Sequence, residues 1–151
     1  MVKTKILWVD DEVELLKPHI IFLEDKNFTI TTCNNGSDAI EVMRNNNFDA
    51  ILLDENMPGL NGIETLTIMK NIDANIPIIM ITKSEEENIM DEAIGNKISD
   101  YLIKPVNPNQ IFLSLKKNLD NIDIISDKTI SGYQQEFRNI SLELSSINTI
   151  E

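Results

Sequence analysis

Apolar residues fall along this chain in short unbroken runs: Ile6-Leu7-Trp8-Val9, Ala50-Ile51-Leu52-Leu53, Ile76-Pro77-Ile78-Ile79-Met80-Ile81 and Tyr101-Leu102-Ile103. Stretches of helical spacing lie between them. Strands alternating with helices predict βα units around a parallel sheet, and continuous apolar runs suit strands covered on both faces. The pattern places strands at 5–10, 28–33, 48–54, 76–82 and 99–103, and helices near 12–25, 37–46, 60–71, 84–94 and 107–120. The second strand, Phe28-Thr29-Ile30-Thr31-Thr32-Cys33, alternates apolar and polar positions and is expected at the rim of the sheet.

Turn residues mark the boundaries. Asn34-Asn35-Gly36-Ser37 opens a helix with Ser37 as its expected N-cap, Gly59 and Gly62 loosen the segment after Asp54, and Gly95-Asn96 closes a helix. Pro18 falls inside the first helical pattern, where it removes a backbone donor at a cost of up to ~3 kcal/mol, so a late start or a kink is expected there. After about Asn121 the character changes. Ile122 to Asp127 reads as a connector, and Ile130, Tyr133, Phe137, Ile140, Leu144 and Ile147 then form a heptad stripe. That stripe fits an amphipathic helix packing back on its own domain, a helix pair in a dimer, or the first helix of a larger helical domain. The expected organisation is one domain over 1–120, a connector over 121–127 and an amphipathic helix over 128–151.

A chain of 151 residues, 42% hydrophobic, holds the core of one ordinary domain plus an appendage. Its net charge of −12 argues against direct binding to nucleic acid or to an anionic membrane, and favours proteins, metal cations or basic peptides. Cys33 is the only cysteine, which excludes an internal disulfide and a thiolate metal cage and suits a packed thiol. With no signal-like apolar stretch and no run approaching a membrane span, a cytoplasmic protein without membrane insertion is expected. His19, the only histidine, reads as an incidental surface residue, and Trp8 as core.

The polar residues that close the apolar runs carry the chemistry. Asp10-Asp11-Glu12, Asp54, Thr82 and Lys104-Pro105 each end a strand, and in an open parallel sheet the ligand crevice lies outside the carboxyl ends of the strands. Taken singly, each has an ordinary structural role, such as a helix cap or a surface charge. Their joint placement argues otherwise. Asp10, Asp11 and Asp54 would repel one another unpaired, so the cluster calls for a cation, and Mg²⁺ suits oxygen ligands in phosphoryl chemistry. Thr82 and Lys104 suit the oxygens of a phosphoryl group. The mix is that of an aspartyl-phosphate site with Asp54 as nucleophile. A haloacid-dehalogenase-type hydrolase would need an Asp-x-Asp-x-Thr run, which Asp10-Asp11-Glu12-Val13-Glu14 lacks, and no glycine-rich loop follows a strand as a dinucleotide site requires.

Over roughly residues 3–120, the segments Leu7 to Glu12, Leu53 to Gly59, Ile81 to Lys83 and Tyr101 to Pro105 resemble the receiver domain of two-component response regulators. The resemblance implies a flavodoxin-like (βα)5 doubly wound α/β fold of strand order 2-1-3-4-5, here with a C-terminal helical extension. It implies that Asp54 accepts a phosphoryl group from a sensor histidine kinase. Mg²⁺ would be held by Asp11, Asp54 and the Asn56 carbonyl, with Asp10 acting through water. Thr82 would bond the phosphoryl oxygens, Lys104 would pair with them, and Tyr101 would rotate inward on activation. The Lys104-Pro105 bond would be cis.

Such a domain is a regulator and not an enzyme, with at most self-catalysed phosphoryl transfer and autodephosphorylation. The change would be relayed to the face made by the last helix, the last strand and the helix before it. There Glu87, Asp91, Glu92, Lys116 and Lys117 permit a phosphorylation-dependent homodimer, and an output domain or protein partner is a further expectation. Lys83 departs from the small residue usual at its position and puts the phosphoryl lifetime in question. The alternative is a receiver-like interaction domain that phosphorylation does not regulate. More narrowly, residues 81–86, 101–110 and 132–138 resemble PorX-type regulators, in which a receiver precedes a helical bundle and a PglZ domain, a family tied to type IX secretion. No metal-rich phosphatase motif lies in this chain.

Overall fold

The structure, a computed structural model, describes residues 3–83, 87–96 and 98–127. Strands β1 (Thr4–Val9), β2 (Phe28–Cys33), β3 (Ala50–Leu53), β4 (Ile78–Thr82) and β5 (Asp100–Ile103) alternate with helices α1 (Lys17–Asp25), α2 (Gly36–Asn45), α3 (Gly62–Ile72), α4 (Glu87–Gly95) and α5 (Pro108–Asp127). The strands form one sheet in the order β2-β1-β3-β4-β5, every neighbouring pair parallel. This is the doubly wound arrangement expected from the sequence. Strand order reverses between β1 and β3, which places a crevice above that pair at the carboxyl ends of the strands.

The apolar runs are buried for the reason their composition implies. Ile6 to Val9, Ala50 to Leu53 and Ile78 to Met80 are fully buried, because helices cover both faces of the central strands. At the rim, β2 exposes Thr29 and Thr32. On one face Leu7, Val9, Ile51, Leu53 and Met80 pack with Leu66 and Met69 of α3 into the main core.

Pro18 is accommodated by a late start. A 3-10 turn at Val13–Leu16 precedes α1, and Pro18 stands in the first turn of the helix, where its missing N–H has no intrahelical partner to lose. The cap of α2 differs from expectation: Asn35, and not Ser37, accepts the Asp38 N–H at 2.8 Å, and the helix begins at Gly36. Asn61 and Glu64 build a reciprocal capping box on α3. Gly62 then passes so close to the β3–α3 loop that a Cβ would collide with the Asp54 and Glu55 backbone. Glycine there lets α3 pack against the segment that carries Asp54.

The stretch read as a connector at 121–127 is helical, since α5 runs to Asp127 without a break. Ile122, Ile124 and Ile125 carry no turn-forming glycine or proline, so the helix has no local reason to end earlier. The heptad stripe from Ile130 to Ile147 lies outside the described residues. Among the described residues no helix is long and apolar enough to cross a membrane.

Candidate functional site

Backbone hydrogen bonds carry the sheet ladders one residue past the strands and so set the spacing of the site. The Asp10 N–H donates to the Cys33 carbonyl at 3.0 Å, that of Asp54 to Val9 at 2.9 Å and that of Lys104 to Thr82 at 2.9 Å. Neighbouring strand ends therefore deliver Asp10, Asp54, Thr82 and Lys104 to one place. Asp10 and Thr82 are fully buried and Asp54 is 4% exposed, whereas Asp11 faces solvent. One oxygen from each of Asp10, Asp11 and Asp54 lies within 4.8 Å of the other two.

The Lys104 ammonium is the counter-ion of this cluster. It donates to Asp10 Oδ2 at 2.7 Å and stands 3.5 Å from Asp54 Oδ2. The remaining carboxylate oxygens turn to the backbone. Asp10 Oδ1 accepts the Glu12 N–H at 2.8 Å, and Asp54 Oδ1 accepts that of Asn56 at 3.2 Å. Burial, and then the charge of Asp10, push the Asp54 carboxyl above its ordinary range. Lys104, the Asn56 N–H and the Thr82 hydroxyl oppose that shift without cancelling it. Burial alone would lower Lys104, but its bonds and charge pairing with Asp10 and Asp54 win, and the ammonium is held above the usual lysine range.

This donor set fits a hard divalent cation. It offers only oxygens, and both influences that raise Asp54, desolvation and the Asp10 charge, are relieved by a nearby positive ion. The cluster therefore has the composition that the sequence assigned to Mg²⁺.

The remaining expectations are placed as follows. Tyr101 lies on β5 opposite Met80, partly buried against the core. The Lys104-Pro105 bond is cis. Lys83 stands 4.0 Å from Glu12, a pair with both side chains more than half exposed and worth at most ~1 kcal/mol. Asp91, Glu92, Lys116 and Lys117 are exposed. Cys33 is buried, and desolvation followed by the charge of Asp38 pushes its thiol up, as suits an inert packing residue.

One residue contradicts its reading. His19 is not an incidental surface residue: it is half-buried, its Nε2 donates to the Val106 carbonyl at 2.7 Å, and its ring meets Trp8 edge-on at 6.4 Å. The signal was present in the helical period, since Leu16, His19 and Leu23 fall three and four apart on the inward side of the first helix.

The model of the response regulator receiver domain matches residues 6–116. The chain is 38% identical over 114 residues to the transcriptional regulatory protein ResD of Bacillus subtilis, covering 76% of this chain and 47% of that protein. It is 33% identical over 135 residues to the CpxR homolog of Haemophilus influenzae, a transcriptional regulatory protein, covering 82% and 58%. It thus spans about half the length of these relatives. Among solved structures, a chain of the CheX–CheY–BeF3–Mg²⁺ complex of Borrelia burgdorferi superposes with a TM-score of 0.71 at 25% identity, covering 76% of this chain and 87% of that one. With acids, hydroxyl and lysine gathered at the strand ends of this sheet and a family match spanning them, the chain belongs to the response regulator receiver domain family.

Proposed function

We propose that this domain is a phosphorylation-activated switch in which Asp54 accepts a phosphoryl group from a sensor histidine kinase. The observation that carries this reading is Lys104, whose ammonium spans Asp10 and Asp54 while the Thr82 hydroxyl bonds Asp54. A buried carboxylate held between a cation and a hydroxyl donor is a nucleophile with ready partners for the oxygens it receives. An Asp54 oxygen attacks phosphorus, the phosphorus–nitrogen bond of the donor breaks, and the imidazole leaves with the electron pair and takes up a proton. Lys104 and Thr82 then hold a phosphoryl group carrying about −1.5 to −2 charges, in place of the single charge of the carboxylate.

Asp11, Asp54 and the Asn56 carbonyl would hold Mg²⁺, with Asp10 contributing through water. The ion neutralises charge on the phosphoryl oxygens when bound. Trp8, the only tryptophan, is fully buried two residues before Asp10, so Mg²⁺ titration should change its fluorescence. A flat titration in protein shown to be folded would count against a metal bound near that strand end.

The proposed switch would act at three strand ends. A phosphoryl group that draws in Thr82 and Lys104 favours one arrangement of the β4–α4 and β5–α5 loops, with Tyr101 between them on β5, and shifts a pre-existing equilibrium by its differential affinity. The α4–β5–α5 face is the proposed readout, leading to a homodimer or to an output partner, within a cytoplasmic signalling protein. The narrower PorX-type reading, with its tie to type IX secretion, rests on residues 81–86, 101–110 and 132–138 alone. The relatives named above are transcriptional regulatory proteins and a CheX–CheY complex.

Acetyl phosphate with Mg²⁺, followed by intact-mass measurement, tests the assignment. Wild type should gain one phosphoryl mass and Asp54→Ala none. An unmodified wild type would instead favour an interaction domain that phosphorylation does not regulate.

A further inference from the structure

We infer that His19 is a positioning residue for phosphoryl transfer, holding the loop that aims Lys104 at Asp10 and Asp54; this rests on the function proposed above. The loop joining β5 to α5 is four residues long, Lys104 to Asn107. Its first residue is tied by the Lys104 N–H to Thr82, at 2.9 Å. Its last is tied by a reciprocal pair, the Asn107 N–H donating to Gln110 Oε1 at 3.0 Å and the Gln110 N–H to Asn107 Oδ1 at 2.9 Å. Pro105, in between, has no N–H to offer. The middle of the loop is held by His19, whose Nε2 lies 2.7 Å from the Val106 carbonyl. A carbonyl only accepts, so the proton of this bond is on Nε2.

The Val106 side chain is buried and holds the loop from one side. On its other side the loop borders an open, largely apolar groove of about 380 Å³, lined by His19 itself and Lys104 as well as Trp8, Leu16, Pro105 and Val106, so the imidazole is the polar group that reaches the loop backbone across it. The imidazole is itself braced. It stands edge-on to Trp8, at 79° between ring planes, and Trp8 is fully buried in the strand that ends at Asp10. One side chain thus joins the segment that bears Asp10 to the segment that bears Lys104, and those two side chains meet at 2.7 Å. A displacement of ~1 Å in a positioning group costs up to about 10²-fold in rate, so slackening this tether should be visible in the chemistry.

The measurement is the rate of phosphorylation by acetyl phosphate at saturating Mg²⁺, read by intact mass. His19→Leu removes the donor and should slow the reaction about tenfold with the Mg²⁺ half-saturation unchanged. His19→Gln, whose terminal amide reaches a similar position, should restore most of the rate. In a Lys104→Ala background the Leu substitution should cost nothing more, because a residue that acts through Lys104 has nothing left to act on. Should His19→Leu not fold, His19→Asn, polar but too short to reach Val106, is read in its place. An undiminished rate, or an equal loss with and without Lys104, overturns the inference while leaving the function standing. A wild type that takes up no phosphoryl group overturns both.

Discussion

Asp54→Asn should abolish phosphoryl incorporation and, at the same time, make the metal-free protein harder to unfold at neutral pH. The first effect is chemical, since an amide oxygen is no nucleophile toward phosphorus. The second follows from the site. Asp54 is 4% exposed beside a fully buried Asp10, and the two share one lysine. Asparagine keeps the shape and can still accept the Asn56 N–H, while removing a desolvated charge and its repulsion with Asp10. It gives up the looser contact of Lys104, at 3.5 Å, and leaves the tight one, at 2.7 Å, in place. A gain of about 1 kcal/mol is expected, the usual size when functional strain is relieved. Urea unfolding in EDTA measures it. A variant less stable than wild type would mean that the pairing with Lys104 outweighs the burial of the charge.

The pH dependence carries a definite sign. Because the folded protein holds the Asp54 carboxyl above its ordinary value of 3.8, the folded state binds this proton more firmly than the unfolded chain does. Wild-type stability from this group therefore falls as pH rises from the ordinary value through the raised one, and stays at the lower level beyond it. The advantage of Asp54→Asn should be small in acid, open across that window and persist at neutral pH. Mg²⁺ should reverse the order by stabilising wild type, which keeps the full set of carboxylates, more than the variant.

How much of this was legible in the sequence depends on the range of the forces involved. The strands were readable because a strand covered on both faces must be apolar at every position, and Ile6 to Val9 or Ile78 to Met80 have no other sensible place. The grouping was readable because these residues end or directly follow those strands, so sequence position already encodes spatial position. Cap identity was less so. Asn35 and Ser37 are both good N-caps two residues apart, and the choice follows from Gly36, which lies against Thr65 where a Cβ would clash and so takes the first turn of α2. The inward place of His19 was legible in the helical period, but its partner was not, because Val106 lies 87 residues away and offers a backbone carbonyl, which leaves no mark in the residue types. The helical end of α5 was missed because polar residues among the isoleucines of 122–127 resemble a linker as much as a helix face.

Lys104→Ala should be the most destabilising single change at the site, by about 3–5 kcal/mol at neutral pH without metal, the usual penalty for removing one partner of a buried ion pair. The reason lies in what remains. With the lysine, which is 14% exposed, gone, a fully buried Asp10 and a nearly buried Asp54 face each other with backbone N–H groups and a hydroxyl as their main compensation. Because the folded protein holds Lys104 above its ordinary value of 10.5, its stabilisation is fully present below that value and fades only as pH rises through the higher one. Neutral assays therefore read all of it. Mg²⁺ should recover more stability in the variant than in wild type, because a divalent charge serves the same carboxylates that the ammonium served. It should not recover phosphorylation to the same extent, because the proposed pairing of Lys104 with the phosphoryl oxygens is lost with its side chain. Two titrations of unfolding against Mg²⁺, wild type and variant, separate these roles. A loss below about 1 kcal/mol, the level of a solvent-exposed pair, would show that the acids are screened by water and that Lys104 is not the charge on which the site is built.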